Sequence, residues 1–318
     1  MWLTPPPVLG QQASPQAAPQ TTPPAAAQTA PPEAEEADTI FSTETRLVPL
    51  NVTVADKIGH LVTNLPQSAF QVFENNVLQQ IKIFRREDVP VSLGLIIDNS
   101  GSMREKRQAV ESAALALVKD SNQQDEAFIV NFNDAYYIDA DFTSDIKALE
   151  QGLTKIDSRG GTAMRDAIWA SIDHMKVKAK RDKKVILVVT DGNDNASERS
   201  LEALVRLAQE DDVLIYAIGL LSEEDKREAK KAQRALNLLV ESTGGQVFYP
   251  KDVSEVDKIA HQVAHDIRNQ YTIAYTPSNT ALDGTFRQIK VLVKAPGNPV
   301  ARTRSGYYAK QPKAAGHL

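Results

Sequence analysis

The chain contains no cysteine. Disulfides, thiolate metal sites, a cysteine nucleophile and a lipid-modified cysteine are thereby excluded. The compartment is left open, because disulfide-free proteins live on either side of a membrane. No run of about 18 apolar residues occurs, so no transmembrane helix is expected. Basic residues are in the minority, 36 Lys and Arg against 41 Asp and Glu, and the formal net charge is -5. No basic stripe stands out, which argues against a nucleic-acid partner. Neither a P-loop nor a G-x-G-x-x-G follows any strand-like run, so nucleotide chemistry has no motif to rest on. What is present is a 318-residue chain that is 42% hydrophobic, enough for a sizeable core and for two domains plus a tail.

Residues 1–44 form a Pro/Ala/Gln/Thr-rich leader ending in the acidic run "PEAEEAD". Without aliphatic periodicity it cannot bury a core, and it is expected to be a disordered or polyproline-like tether. Its start, "MWLTPPPVLGQQASPQ", lacks a basic region, and three prolines break its apolar run, so it is no working signal peptide as written. Two readings stay open: the remnant of a leader that starts upstream, and a tail of the kind also found inside cells. The expected location is extracytoplasmic, secreted or periplasmic.

Residues 45–89 read as three or four antiparallel strands separated by turn clusters such as "DKIGH" and "ENN". Residues 90–269 alternate near-continuous apolar strands with amphipathic helices, the first of them starting at Arg104. That pattern predicts an α/β fold, a doubly wound, mostly parallel sheet covered on both faces. Residues 270–310 return to β texture, and 311–318 look frayed. Each β-rich flank is short of strands alone. Together they make about six or seven, so the expectation is one small β-sandwich with the α/β domain inserted between its halves.

In open α/β sheets, ligands bind outside the carboxyl ends of the strands near the switch in strand order. The strand "VSLGLII" is followed by Asp98, Ser100 and Ser102 in "DNSGSM". The strand "KKVILVVT" is followed by Asp191, Gly192, Asn193, Asp194 and Asn195. Between them, "SRGGTAMRDA" sets Thr162 behind a glycine pair, where a helix N-cap is expected. The three loops offer carboxylates, hydroxyls and an amide, with no His or Cys. Such a donor list suits Mg²⁺, Mn²⁺ or Ca²⁺ and not zinc. In a D-x-S-x-S segment alternate side chains can point to one side, and Gly101 permits the tight curl. Two charges, from Asp98 and Asp191, would roughly neutralise a divalent ion and leave coordination positions to water. A carboxylate from a protein partner could take such a position.

"DNSGSM", "GGTAMRDAI" and "VVTDGND", in that order, resemble the metal-ion-dependent adhesion site of a von Willebrand factor type A domain, over about residues 90–269. The longer pattern, from "GHLVTNLPQSAFQVFENN" through "TGGQVFYP" to "IRNQYTIAYTP" and "GYYA", is similar to the acidobacterial-type von Willebrand factor A-related proteins. The resemblance implies Asp98, Ser100, Ser102, Thr162 and Asp191 as the metal site, with Mg²⁺ as the expected ion and Mn²⁺ or Ca²⁺ as alternatives. It also implies a non-enzymatic adhesion module that captures an acidic residue of a partner. Asn193 and Asp194 are candidates to support the metal ligands from behind, or simple turn residues. In the family the last helix can shift when ligand engages. Here that is residues 254–269, with junctions near Pro90 and Gln270 placed to transmit the movement.

The same residues admit other readings. Ser102 could serve only as a helix N-cap. "DGNDNASERSLE" scans as a calcium loop except at Ala196, where glycine is required, and it follows a strand. His261 and His265 have zinc-protease spacing, but Gln262 stands where glutamate is needed. The aromatics of "AYYIDADF" and "SGYYA" are expected to pack within strands. Two alternative functions remain: a Mg²⁺-dependent hydrolase with Asp98 as nucleophile, and a non-ATPase subunit of a chaperone- or chelatase-like assembly. A phosphatase pattern would want a second aspartate where Ser100 stands.

Overall fold

The strand that ends in Asp98 runs Val91–Asp98 and is buried along its whole length. It is flanked on both sides by strands with largely apolar, buried runs, as its Val/Leu/Ile content requires of a central parallel strand. The computed structural model describes residues 46–86, 88–154, 159–192, 194–221 and 225–310. The leader 1–44, the tail 311–318 and Asn193 lie outside the described residues.

In chain order the first flank supplies β1 (Val48–Ala55), β2 (Phe70–Glu74), β3 (Val77–Gln79) and β4 (Ile81–Arg85). The α/β part follows with β5 (Val91–Asp98), α1 (Arg107–Lys119), β6 (Glu126–Phe132), β7 (Tyr136–Thr143) and α2 (Ile146–Thr154). It continues with α3 (Met164–Lys178), β8 (Lys183–Thr190), α4 (Leu201–Glu210), β9 (Val213–Gly219) and α5 (Lys226–Thr243). It closes with β10 (Val247–Phe248) and α6 (Val256–Arg268). The second flank supplies β11 (Tyr271–Tyr275), β12 (Phe286–Val293), β13 (Val300–Arg302) and β14 (Gly306–Tyr308).

The central sheet has the order β10-β9-β8-β5-β6-β7. All its pairings are parallel except β6 with β7. One face packs against α1, α2 and α6, the other against α3, α4 and α5. From β5 the chain winds outward through β6 and β7, then crosses to β8 and continues through β9 to β10. The switch in strand order therefore falls beside β5, and the crevice beyond its carboxyl end is where such sheets take ligands.

The flanks interleave. One antiparallel sheet has the order β13-β1-β11-β4 and the other β14-β12-β2-β3, so each draws strands from both ends of the chain. Their apolar faces share one core that includes Leu50, Val52, Phe70, Tyr271, Ile273 and Val291. Among the described residues eight strands stand where six or seven were expected. The "ENN" turn forms the β2–β3 hairpin with Asn75 and Asn76 both at positive φ, 47° and 65°, as a two-residue turn with matching twist demands.

Polar contacts, most of them partly buried, tie the two parts together. Arg302 on β13 donates to the buried Asp266 of α6 at 2.8 Å, and Gln270 donates to Thr53 of β1 at 2.9 Å. Arg304 reaches both Asp212 (2.8 Å) and the Pro49 carbonyl (2.7 Å).

Three local expectations are corrected. The helix after "DNSGSM" does not begin at Arg104. A 3₁₀ turn over Gly101–Met103 comes first, and α1 starts at Arg107. Thr162 is not the N-cap of α3; Ala163 is, with no side-chain cap bond. Tyr136 and Tyr137 are not packed within the sheet, being 47% and 55% exposed at the start of edge strand β7.

Candidate functional site

The three loops of interest meet at the carboxyl end of the central sheet. A cavity of about 250 Å³ there is lined by Ser100, Ser102, Thr162 and Asp191, together with Gly160, Gly161 and Asn195. Its remaining wall, Asp225, Glu228 and Ala229, comes from the start of α5.

Asp98 is almost fully buried at the end of β5. Its Oδ1 accepts the Ser100 N–H at 2.8 Å, and its Oδ2 accepts the Thr190 hydroxyl at 2.7 Å. The first bond curls the chain after the strand, and the second ties β5 to the end of its neighbour β8. Burial pushes the Asp98 carboxyl up to about 6; the Thr190 and Ser100 hydrogen bonds pull the other way, and the charge of Asp191 adds to the rise. The curl brings Ser100 Oγ and Ser102 Oγ within 3.1 Å of each other. Two hydroxyls that close share one proton between them and leave lone pairs for a third group.

Thr162 is fixed by the loops on either side. Its N–H donates to Asn195 Oδ1 at 2.9 Å, and its carbonyl accepts the N–H groups of Asn195 and Ala196, both at 3.1 Å. The glycine pair before it is a matter of space. Gly160 has φ +79°, and a Cβ there would lie 2.1 Å from Asp134 Oδ2. Asp134 Oδ1 in turn accepts the Gly161 N–H at 2.7 Å. Gly101 N–H donates to the Gly160 carbonyl at 3.3 Å, which joins the first loop to the second.

Asp191 faces a cation of the protein's own. Lys106 Nζ lies 3.8 Å from Asp191 Oδ2 and donates to the Leu220 carbonyl at 2.8 Å. Asp194 points elsewhere: it accepts from the Arg165 backbone N–H (2.8 Å), Nε (3.0 Å) and Nη2 (3.2 Å), and from Ser197. It clamps the β8–α4 loop to the start of α3. Asn193, the other supporting candidate, falls outside the described residues.

The donors fit a hard divalent cation. They are hydroxyl and carboxylate oxygens only; Ser100, Ser102, Thr162 and Asp191 line the cavity, whereas the buried Asp98 is not among its lining residues. Among the described residues no three His, Cys, Asp or Glu side chains converge as a metal cluster; of the five expected ligands three are hydroxyls and two are carboxylates. His261 is paired with Asp120 on the helical face, which raises its basicity. Sequence reasoning missed Lys106, Thr190, Asp134, Asp225 and Glu228, because only the fold brings them to this edge.

An open, doubly wound sheet with an oxygen-lined site at the switch beside its first strand defines the class of the domain. The family model described as von Willebrand factor type A domain matches residues 93–262, more than half of the chain. The chain belongs to the von Willebrand factor type A domain family. No curated protein matches the sequence.

Among solved structures, the von Willebrand factor type A protein from Catenulispora acidiphila is similar with a TM-score of 0.50 at 12% identity, covering 84% of this chain and 75% of that one. That coverage exceeds the family match and so extends the likeness of fold into the flanks. An aerotolerance-related membrane protein from Bacteroides fragilis gives 0.45 at 16% identity, with 55% of this chain and 98% of that one covered. The pilus adhesin SpaC from Lactobacillus rhamnosus GG gives 0.47 at 13% identity, with 80% of this chain and 47% of that one.

Proposed function

We propose that this protein is a Mg²⁺-dependent binding module, of adhesion type, which captures an acidic side chain of a protein partner at the carboxyl end of its central sheet. Asp98, Ser100, Ser102, Thr162 and Asp191 would hold the ion. The observation that carries the reading is the cavity itself, where the hydroxyls of Ser100, Ser102 and Thr162 and the Asp191 carboxylate, from three loops, face one space. When bound, a divalent ion supplies positive charge and a coordination position open to a carboxylate oxygen.

The chain's own residues make such capture conditional on the ion. Asp191, Asp225 and Glu228 all line the cavity, so the wall by itself repels an incoming carboxylate. Lys106 offsets part of the charge of Asp191. Thr190 and the Ser100 N–H hold Asp98 in one orientation, and Asn195 holds the Thr162 backbone. Asp98 is poorly placed as a nucleophile, because it is buried and both of its oxygens already accept hydrogen bonds. That supports a binding module over the hydrolase alternative.

The location proposed is outside the cytoplasm, secreted or periplasmic. A Pro/Ala/Gln-rich leader suits a binding module held off a surface. Among the described residues no helix is long and apolar enough to cross a membrane.

Water-proton relaxation with Mn²⁺ as the probe ion tests the capture step. An excess of a short aspartate-containing peptide should lower the relaxation enhancement by displacing bound water, while its asparagine counterpart should not. Equal effects from both peptides would remove the basis for carboxylate capture.

A further inference from the structure

Beside the oxygen-lined cavity lies a larger one of about 660 Å³, bounded by the starts of α3 and α4, the β8–α4 loop and one long face of α5. Glu228 belongs to both cavities, so the two are contiguous. The floor of the larger one is apolar: Met164, Leu201, Ala235 and Leu238. Leu238 is 47% exposed. A single exposed leucine on a helix is ordinary; one on the floor of a groove is a contact surface.

The rim is cationic. Arg227, Lys231 and Arg234 lie on α5 at the four- and three-residue spacing that stacks side chains on one face, and Leu238 continues the same stripe. Lys230 stands beside them. All four cations are exposed. Lys231 has a partner in Glu228 at 3.7 Å. Among the described residues Arg227, Lys230 and Arg234 have no carboxylate partner. The groove's lining also holds Arg165, paired with Asp194, and Glu228; in a chain of net charge -5 the surplus of cations along it still makes a local field of the opposite sign.

We propose that this groove docks an acidic, partly apolar segment of the protein partner, with carboxylates along the α5 cations and a Leu- or Phe-sized side chain on the Leu238 floor. The inference rests on the reading of the adjoining cavity as the point where that partner's acidic residue engages. Charge complementarity selects an acidic occupant. The apolar floor selects a folded or amphipathic peptide over a purely charged polymer, because burial of an apolar side chain is available only to the former. The two cavities have complementary demands: the smaller repels carboxylates unless an ion is bound, whereas the groove attracts them at all times.

The full chain should be used to select from a displayed library of random twelve-residue peptides, once with Mg²⁺ and once with EDTA. The expected result is enrichment, under both conditions, of peptides with several acidic residues around Leu or Phe. Binding of a selected peptide should weaken about tenfold or more in the triple variant Arg227→Glu/Lys231→Glu/Arg234→Glu, whose exposed sites leave the melting temperature near that of the wild type. Leu238→Ser should weaken it as well. Asp98→Asn should leave groove binding intact, so failure of the ion site and failure of the groove give different results. The proposal is overturned if no acidic preference emerges, if charge reversal leaves binding unchanged, or if polyglutamate binds as tightly as the selected peptides.

Discussion

Lys106 Nζ stands 3.8 Å from Asp191 Oδ2, so the carboxylate proposed to hold the ion already has a counter-charge from the turn before α1. Both side chains are largely shielded from solvent. A divalent ion arriving at Asp191 must work against that ammonium. Full Coulomb repulsion at this range is a few kcal/mol in a protein-like dielectric, and partial exposure reduces it to about 1 kcal/mol. Lys106→Met should therefore tighten Mg²⁺ or Mn²⁺ binding by about five- to tenfold, as read by isothermal titration calorimetry. Weaker binding in that variant would show that Lys106 supports the site and does not compete with the ion.

Thr190 is fully buried and acts twice. Its hydroxyl donates to Asp98 and accepts the Gly192 N–H at 2.9 Å. Thr190→Val keeps the shape and strands both partners. Urea denaturation should show a loss of about 1–3 kcal/mol, the usual result when buried polar groups lose their partner. Divalent-ion affinity should fall with it, since Asp98 loses its fixed orientation.

Gly160 tests the architecture of the second loop. Its φ is +79°, and the methyl group of an alanine would sit only 2.1 Å from Asp134 Oδ2, so alanine is strained both by backbone and by contact. Gly160→Ala should destabilise by about 1–3 kcal/mol in chemical denaturation. It should also weaken ion binding through the displaced Gly161–Thr162 segment. Asp134→Ala, which removes the clash, should recover part of the stability in the double variant.

At the opposite end of the molecule, Lys183 at the start of β8 donates to the Ile267 carbonyl at 2.5 Å, within the last turn of α6. Burial pushes its ammonium down to about 8; Asp88 and Asp125 oppose that shift, and Arg268 adds to it. Below about pH 8 both the folded and the unfolded chain hold the proton, and the burial penalty is present in full. Between about pH 8 and the ordinary lysine value near 10.5, the unfolded chain binds more protons, so this residue makes stability rise with pH. Urea midpoints from pH 7.5 to 10 should show the rise in the wild type and lose that contribution in Lys183→Met.

Much of the fold was legible because its signals are local. Seven consecutive apolar or small residues followed by Asp98 read as a buried strand, and Asn75-Asn76 between alternating runs reads as a tight turn. The D-x-S-x-S spacing was legible for the same reason, as was the oxygen chemistry of the three loops. Other features depend on which elements become neighbours. Nothing in the sequence around Lys106 says that Asp191 will be opposite, and nothing around Arg227 or Leu238 says that α5 will border the same cavity. Tyr136 and Tyr137 read as packed because aromatic alternation does not reveal that β7 is an edge. The 3₁₀ turn over Gly101–Met103 was hidden because its residues also suit a helix start.

A titration of the full chain with Mn²⁺, followed by electron paramagnetic resonance and competed with Mg²⁺, reads out whether the oxygen-lined cavity holds a divalent ion. One saturable site that Mg²⁺ displaces is expected in the wild type. The site should be lost in Asp98→Asn and Asp191→Asn and weakened in Ser102→Ala, with melting temperatures showing that each variant is folded. Absence of saturable binding in the wild type, or unchanged affinity in the folded variants, would contradict the proposed ion site.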